Sequence, residues 1–164
     1  MFVYFIIELG SRWIVQYGVT RLPSDFWIAQ QVRAATPYEE GPRFLIRDND
    51  GKYGQCFTRV AEGQGIKVIR TPVRAPKANA ICERFIGSVR RECLDHMLIA
   101  NDRHLYRLID EYVGYYNQAR PHQGLGQRIP DPARIDNDPV GDKGQRIARR
   151  PVLGGLHHDY RRAA

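Results

Sequence analysis

The chain opens on a continuous apolar run, Phe2 to Leu9, rich in β-branched and aromatic side chains, which predicts a buried strand. Gly10-Ser11 marks a turn and Trp13 to Thr20 a second strand, so the two read as a hairpin. Ser24 is placed as an N-cap, and Ile28, Val32 and Ala35 then recur at helical spacing. Arg43 to Asp48 is a short strand that ends in the polar turn Asp48-Asn49-Asp50-Gly51. A short helix carrying Phe57, Val60 and Ala61 follows, stopped by Gly63 and Gly65, before a strand from Ile66 to Arg70. Strand, helix, strand predicts a right-handed crossover and parallel pairing.

Thr71 to Pro76 holds two prolines and reads as a mobile loop. A helix from about Lys77 to His96 comes next, then one from Asp102 to about Asn117 with Leu105, Leu108, Ile109, Tyr112 and Tyr116 as its buried stripe. In the first of these, Cys82, Phe85, Ile86, Val89 and Cys93 share one arc and are expected to face the core. Residues 130–150 hold three prolines, many charges and few apolar anchors, so 130–164 is expected to be a low-order linker and a basic tail, beyond a core at 1–129.

Charge sharpens this picture. The net charge is +7, yet residues 1–66 are neutral, while residues 67–93 carry +5 and residues 141–164 carry +4. A polyanionic partner is implied, met by the helix after Lys77 and by the tail. The three cysteines form no C-x-x-C pair, which argues against a zinc knuckle or a disulfide framework and for reduced thiols in a cytoplasm. The opening run meets Glu8 with no cationic residue or cleavage site around it, so it is not read as a signal peptide. His157-His158-Asp159 is read as solvated tail, and His122 as a packing residue.

Candidate chemistry centres on two carboxylates. Glu83 lies on the border of its helix's apolar arc, with Asn79, Gly87 and Arg90 along the same border. Asp48 lies 35 positions upstream at a strand end. Each alone has a bland reading, a surface ion pair for Glu83 and an Asx turn for Asp48. Together, in a basic setting, they suit divalent-metal-dependent phosphodiester chemistry.

These residues carry a resemblance. Ile7-Glu8-Leu9-Gly10-Ser11-Arg12, Ile46-Arg47-Asp48-Asn49-Asp50-Gly51, Ala75-Pro76-Lys77-Ala78-Asn79-Ala80-Ile81-Cys82-Glu83-Arg84-Phe85, and Tyr116-Asn117-Gln118-Ala119-Arg120-Pro121-His122 with Leu125 resemble, in order, motifs of insertion-sequence transposases of the retroviral-integrase superfamily. The resemblance covers roughly residues 1–130. It implies an RNase H-like fold, a five-stranded mixed sheet flanked by helices, and DNA strand cleavage and strand transfer with Mg²⁺ or Mn²⁺. It makes Asp48 the second and Glu83 the third acid of an Asp-Asp-Glu triad and metal site, with Asp50 a competitor for the second place. Lys77, Asn79, Arg84, Arg90 and Arg91 become the candidate DNA contacts. Homo-oligomers and a bacterial, nucleoid-associated cytoplasmic setting follow from the same resemblance.

The first acid of the triad is expected upstream of the Glu8 turn, on a strand that would be central to the sheet; no Asp precedes Asp25. The chain is therefore expected to be an N-terminally truncated core of a DNA nucleotidyltransferase family, inactive alone because two carboxylates cannot hold two ions in register. The rival readings are a non-catalytic DNA-binding or dimerising fragment, and a relic without function. Two sheet remnants without the central strand would leave open edges, so Phe2–Glu8 is expected to move beside Arg43–Asp48 and pair with it.

Overall fold

The computed structural model describes residues 1–37, 41–72, 79–131 and 146–162. It is a mixed α/β chain with three two-stranded sheets among the described residues. It divides into two compact units, Met1–Ile7 with Val15–Gly87, and Glu8–Ile14 with Ser88–Ala164. Among the described residues no helix is long and apolar enough to cross a membrane.

In the first unit β1 (Phe2–Ile7) pairs with β2 (Ile14–Thr20). α1 (Asp25–Ala35) starts on Ser24, whose hydroxyl accepts the Trp27 N–H at 3.2 Å. β3 (Phe44–Arg47) and β4 (Lys67–Arg70) lie parallel, Ile46 opposite Ile69, joined through α2 (Gln55–Gly63), as the strand–helix–strand pattern predicts. Ile28, Val32, Phe57, Ala61 and Ile66 form the core, and Tyr4, Ile6, Leu45 and Val68 pack on it from the strands.

α2 has no cap of its own. The Asp25 carboxylate supplies one from α1, accepting N–H donors of Gly54 at 3.0 Å, Cys56 at 2.7 Å and Phe57 at 2.9 Å. Burial pushes this carboxyl upward, but the three backbone donors outweigh it and hold the group below its ordinary value. Gly54 is required by this contact: a Cβ there would stand 2.6 Å from Asp25 Oδ2.

The expected pairing of Phe2–Glu8 with Arg43–Asp48 is not found. β1 is hydrogen-bonded to β2 and β3 to β4, with no ladder between the two pairs among the described residues. Burial explains the difference: β1 reaches the shared core through the Tyr4 and Ile6 side chains, which needs no backbone contact with β3. One face of β3–β4 stays open, with Phe44 44%, Ile46 38% and Ile69 40% exposed.

The second unit holds α4 (Asp102–Gln118), capped by the Asn101 side chain, with the expected stripe Leu105, Leu108, Ile109, Tyr112 and Tyr116 buried. Here the Tyr116–His122 segment is structural. Asn117 Oδ1 accepts the Ile14 N–H at 2.9 Å and its Nδ2 donates to the Ile14 carbonyl at 3.1 Å, so a side chain completes a strand end. Arg120 grips Glu92 with Nε at 2.7 Å and Nη2 at 2.6 Å, and the Tyr112 hydroxyl donates to the same carboxylate at 2.9 Å. His122 is buried and its Nε2–H donates to the Tyr116 carbonyl at 3.0 Å, the packing role expected of it.

Residues 147–162 differ from the low-order tail expected of them. β5 (Ile147–Val152) and β6 (His157–Arg162) form an antiparallel hairpin. The reversal uses Leu153 at φ 52°, Gly154 at φ 65° and Gly155 at φ 99°. Anchors explain the order. The Leu153 N–H donates to Glu111 Oε1 at 2.6 Å, Val152 and Leu153 are buried, and the His157 ring stacks on Tyr115 at 4.9 Å. Residues 132–145, the rest of the expected linker, lie outside the described residues.

Candidate active site

Asp48 follows β3 directly, and the turn after it is held from three sides. Arg47 alternates to the same face as Leu45 and is buried at 7% exposure. Its guanidinium lies over the Tyr53 ring at 4.8 Å and the Phe57 ring at 5.8 Å, and Nη1 donates to the Asp48 carbonyl at 2.7 Å. Among the described residues Nε has no hydrogen-bond partner, so ring stacking and the Nη1 bond are what hold the cation there. Asn49 Nδ2 donates to the Thr71 carbonyl at 2.9 Å. Asp48 Oδ1 accepts the Asp50 N–H at 3.2 Å, the Asx turn of the bland reading.

The two candidate aspartates part here. Asp50 is consumed by Lys52, whose Nζ is 2.5 Å from Oδ2, and that contact holds its carboxyl below the ordinary value. Asp48 is exposed and has no ion pair among the described residues.

Glu83 is exposed on α3 (Ala80–Glu92), beginning beyond Asn79, whose carbonyl accepts the Glu83 N–H at 3.0 Å. Phe85, Val89 and Cys93 form the buried stripe of this helix, and Phe85 meets Phe5 edge-on at 4.8 Å. Ile86 corrects the expected arc: it is 48% exposed while Cys93, about 20° from it around the axis and two turns on, is buried, so burial follows what packs at each turn. Arg84, Arg90 and Arg91 are exposed on the same helix, and Asn79 is half-buried. Lys77 falls outside the described residues.

Asp48 and Glu83 act on one group. The Cys82 thiol is pushed up by burial, then by the negative charges of Asp48 and Glu83. Asp48 also acts on two tyrosines. Burial, then the Asp48 charge, pushes Tyr53 up to about 12; Tyr4, hydrogen-bonded to Tyr53, is pushed up by burial, by Tyr53 and then by Asp48. The Asp48 charge thus reaches Cys82, Tyr53 and Tyr4, and Glu83 adds to it at Cys82, its neighbour in sequence. Among the described residues no three His, Cys, Asp or Glu side chains cluster as metal ligands.

Sequence reasoning missed Arg47, Tyr53 and the position of Cys82. For Arg47 a signal existed, since strand alternation puts it beside Leu45. For Cys82 and Tyr53 none did, because their proximity to Asp48 is made by tertiary packing.

Residues 64–130 match the integrase core domain family. The chain is 28% identical over 126 residues to the 39.2 kDa protein of insertion element IS476 from Xanthomonas euvesicatoria, covering 76% of this chain and 36% of that protein. It is 30% identical over 136 residues to the putative transposase InsD of insertion element IS2E from Escherichia coli, covering 78% of this chain and 62% of that protein. The chain spans between about a third and about three fifths of the length of these relatives. Its fold is similar to a chain of the simian T-cell lymphotropic virus intasome solved with PP2A regulatory subunit B56 gamma, with TM-score 0.64, 11% identity, and coverage of 97% of this chain and 60% of that one. The family match and the insertion-element relatives support an integrase/transposase core, and the intasome chain is alike in fold.

Proposed function

We propose that this chain is the core of a transposase that acts on DNA in transposition and integration, with Asp48 and Glu83 as the second and third acids of its site. What supports the reading is the placing of the two acids, Asp48 exposed at the end of β3 and Glu83 exposed on α3, with the charges of both raising the Cys82 thiol. Asp48 and Glu83 would hold one Mg²⁺ or Mn²⁺, which when bound supplies Lewis-acid activation of a phosphodiester and its attacking oxygen. Arg47 orients Asp48 by gripping its carbonyl. Asn79, Arg84, Arg90 and Arg91, with Lys77, bind and orient the DNA backbone. The sheet is read as part of an RNase H-like fold, and the protein as working in homo-oligomers at the nucleoid of a bacterial cell.

The acid ahead of Asp25 is Glu8, and its carboxylate accepts the Ser11 hydroxyl within its own turn. These 164 residues by themselves therefore supply two acids of three, and they bind DNA without completing strand transfer.

Thiol reactivity tests the site without depending on turnover. In a Cys56→Ser background, Cys82 is the half-exposed thiol and Cys93 is buried. Mg²⁺, a poor thiolate ligand, should raise the Cys82 labelling rate by offsetting the two carboxylate charges. Asp48→Asn or Glu83→Gln should raise the rate without metal and blunt the response to it. A labelling rate indifferent to saturating Mg²⁺ in the parent would sink the two-carboxylate site.

A further inference from the structure

The β5–β6 hairpin has two faces of different character. In the register, Arg149 stands opposite Tyr160, and Pro151 opposite His158. These residues point away from the face that carries Val152, His157 and Asp159, which is the docked one. On the docked face, His157 stacks on Tyr115 and its Nε2–H donates to the Glu92 carbonyl at 2.6 Å. Asp159 is 5% exposed and paired with Arg161 at 2.5 Å, so the one acid of residues 146–161 is neutralised inside.

The outward face is different. Tyr160 is 64% exposed, the His158 ring lies 6.2 Å from it, and Arg149 is exposed directly across the ladder. Arg150 is exposed too, but it stands opposite Asp159 and belongs to the other face. A flat ring held on a docked ribbon, with a guanidinium group directly across the ladder and an imidazole two residues along the strand, matches the chemistry of an unpaired nucleotide: a base face to stack and a phosphate to neutralise. A blunt duplex offers the phosphates but hides every base face except those at its two ends.

We infer that the outward face of the β5–β6 hairpin is a platform for single-stranded DNA, on which Tyr160 stacks an unpaired base and Arg149 holds a neighbouring phosphate. The inference rests on the DNA reading above and deepens it by naming a strand type and a second contact surface. Its order comes from the docked face, so the platform is preformed and costs little ordering on binding.

Fluorescence anisotropy on the full 164-residue chain tests it, with a labelled single strand of about 20 nucleotides and a blunt duplex of the same sequence. Tyr160→Ala should weaken single-strand binding about 10-fold and leave the duplex within about twofold, while Tyr160→Phe stays near the parent. Arg149→Ala should weaken both and flatten the single-strand slope of log K against log salt by about 0.7. Parent-like emission from Trp13 checks folding of the unit. Unchanged single-strand binding by Tyr160→Ala, or equal losses on both DNAs, would overturn the platform while parent binding keeps the DNA reading. A parent that binds neither DNA would overturn that reading and the platform with it.

Discussion

Arg120→Ala is the most informative stability perturbation, because it asks whether a residue of the Tyr-Asn…Arg-Pro-His segment holds the fold or waits for a ligand. The Arg120–Glu92 pair is bidentate, at 2.7 and 2.6 Å, and the two side chains are only 24% and 25% exposed. An exposed pair would contribute about 0–1 kcal/mol. Charge-assisted hydrogen bonds this sheltered contribute about 1.5–3 kcal/mol, and truncation also strands a partly buried carboxylate, so the expected loss is about 2–3 kcal/mol. For a unit of this size each kcal/mol moves Tm by about 4–8 °C. The assay is urea unfolding followed by Trp13 emission in a Trp27→Phe background, since Trp13 lies in the unit of Arg120 and Trp27 in the other. Arg120→Lys should recover only part of the loss, because an ammonium cannot make the fork. A cycle with Glu92→Gln should show coupling of about 1–2 kcal/mol. Burial pushes the Glu92 carboxyl up, but Arg120, Tyr112 and the His157 charge outweigh it and hold the group low. Its contribution is therefore complete above the ordinary value of 4.5 and is lost as pH falls through the depressed one. A loss below about 0.5 kcal/mol with no coupling would refute the structural role and return Arg120 to the candidate ligand contacts.

Two further outcomes follow from the same reasoning. Asp25→Ala removes the tertiary cap of α2 and should cost about 1–2 kcal/mol in Trp27-monitored unfolding; a neutral result would mean that solvent caps that helix equally well. His122 is held below its ordinary 6.5 first by burial and then by the Arg120 charge, against the Tyr116 carbonyl. Its folded pKa is depressed, so its contribution is complete above 6.5 and is lost as pH falls below it; the parent should lose stability there more steeply than His122→Gln, and parallel pH profiles would contradict this.

What the sequence by itself determined is what short-range physics encodes. The stripe of α4 repeats every three or four residues, Ser24 caps within one turn, and β3, α2 and β4 follow one another closely enough to demand a crossover. The basic stretch around Glu83, and Asp48 at a strand end, were equally legible, because residue type and local element suffice to place them. Tertiary structure decided the rest. Asp25 caps a helix 29 to 32 residues away, and Asn117 completes a strand end 103 residues away; neither distance has a local signature. Ile86 counted as core by hydrophobicity, yet burial depends on what packs at each turn of the helix, and at its turn the side chain stays exposed. The tail hid a hairpin because its strands are rich in arginine, and its order comes from anchors at Glu111, Tyr115 and the Glu92 carbonyl. Asp48 was the preferred candidate and Asp50 its competitor; that Asp50 pairs with Lys52 is a contact only the structure shows. Only folding brings the Asp48 charge to bear on the Cys82 thiol beside Glu83: electrostatic fields add through space, over distances the linear chain does not record.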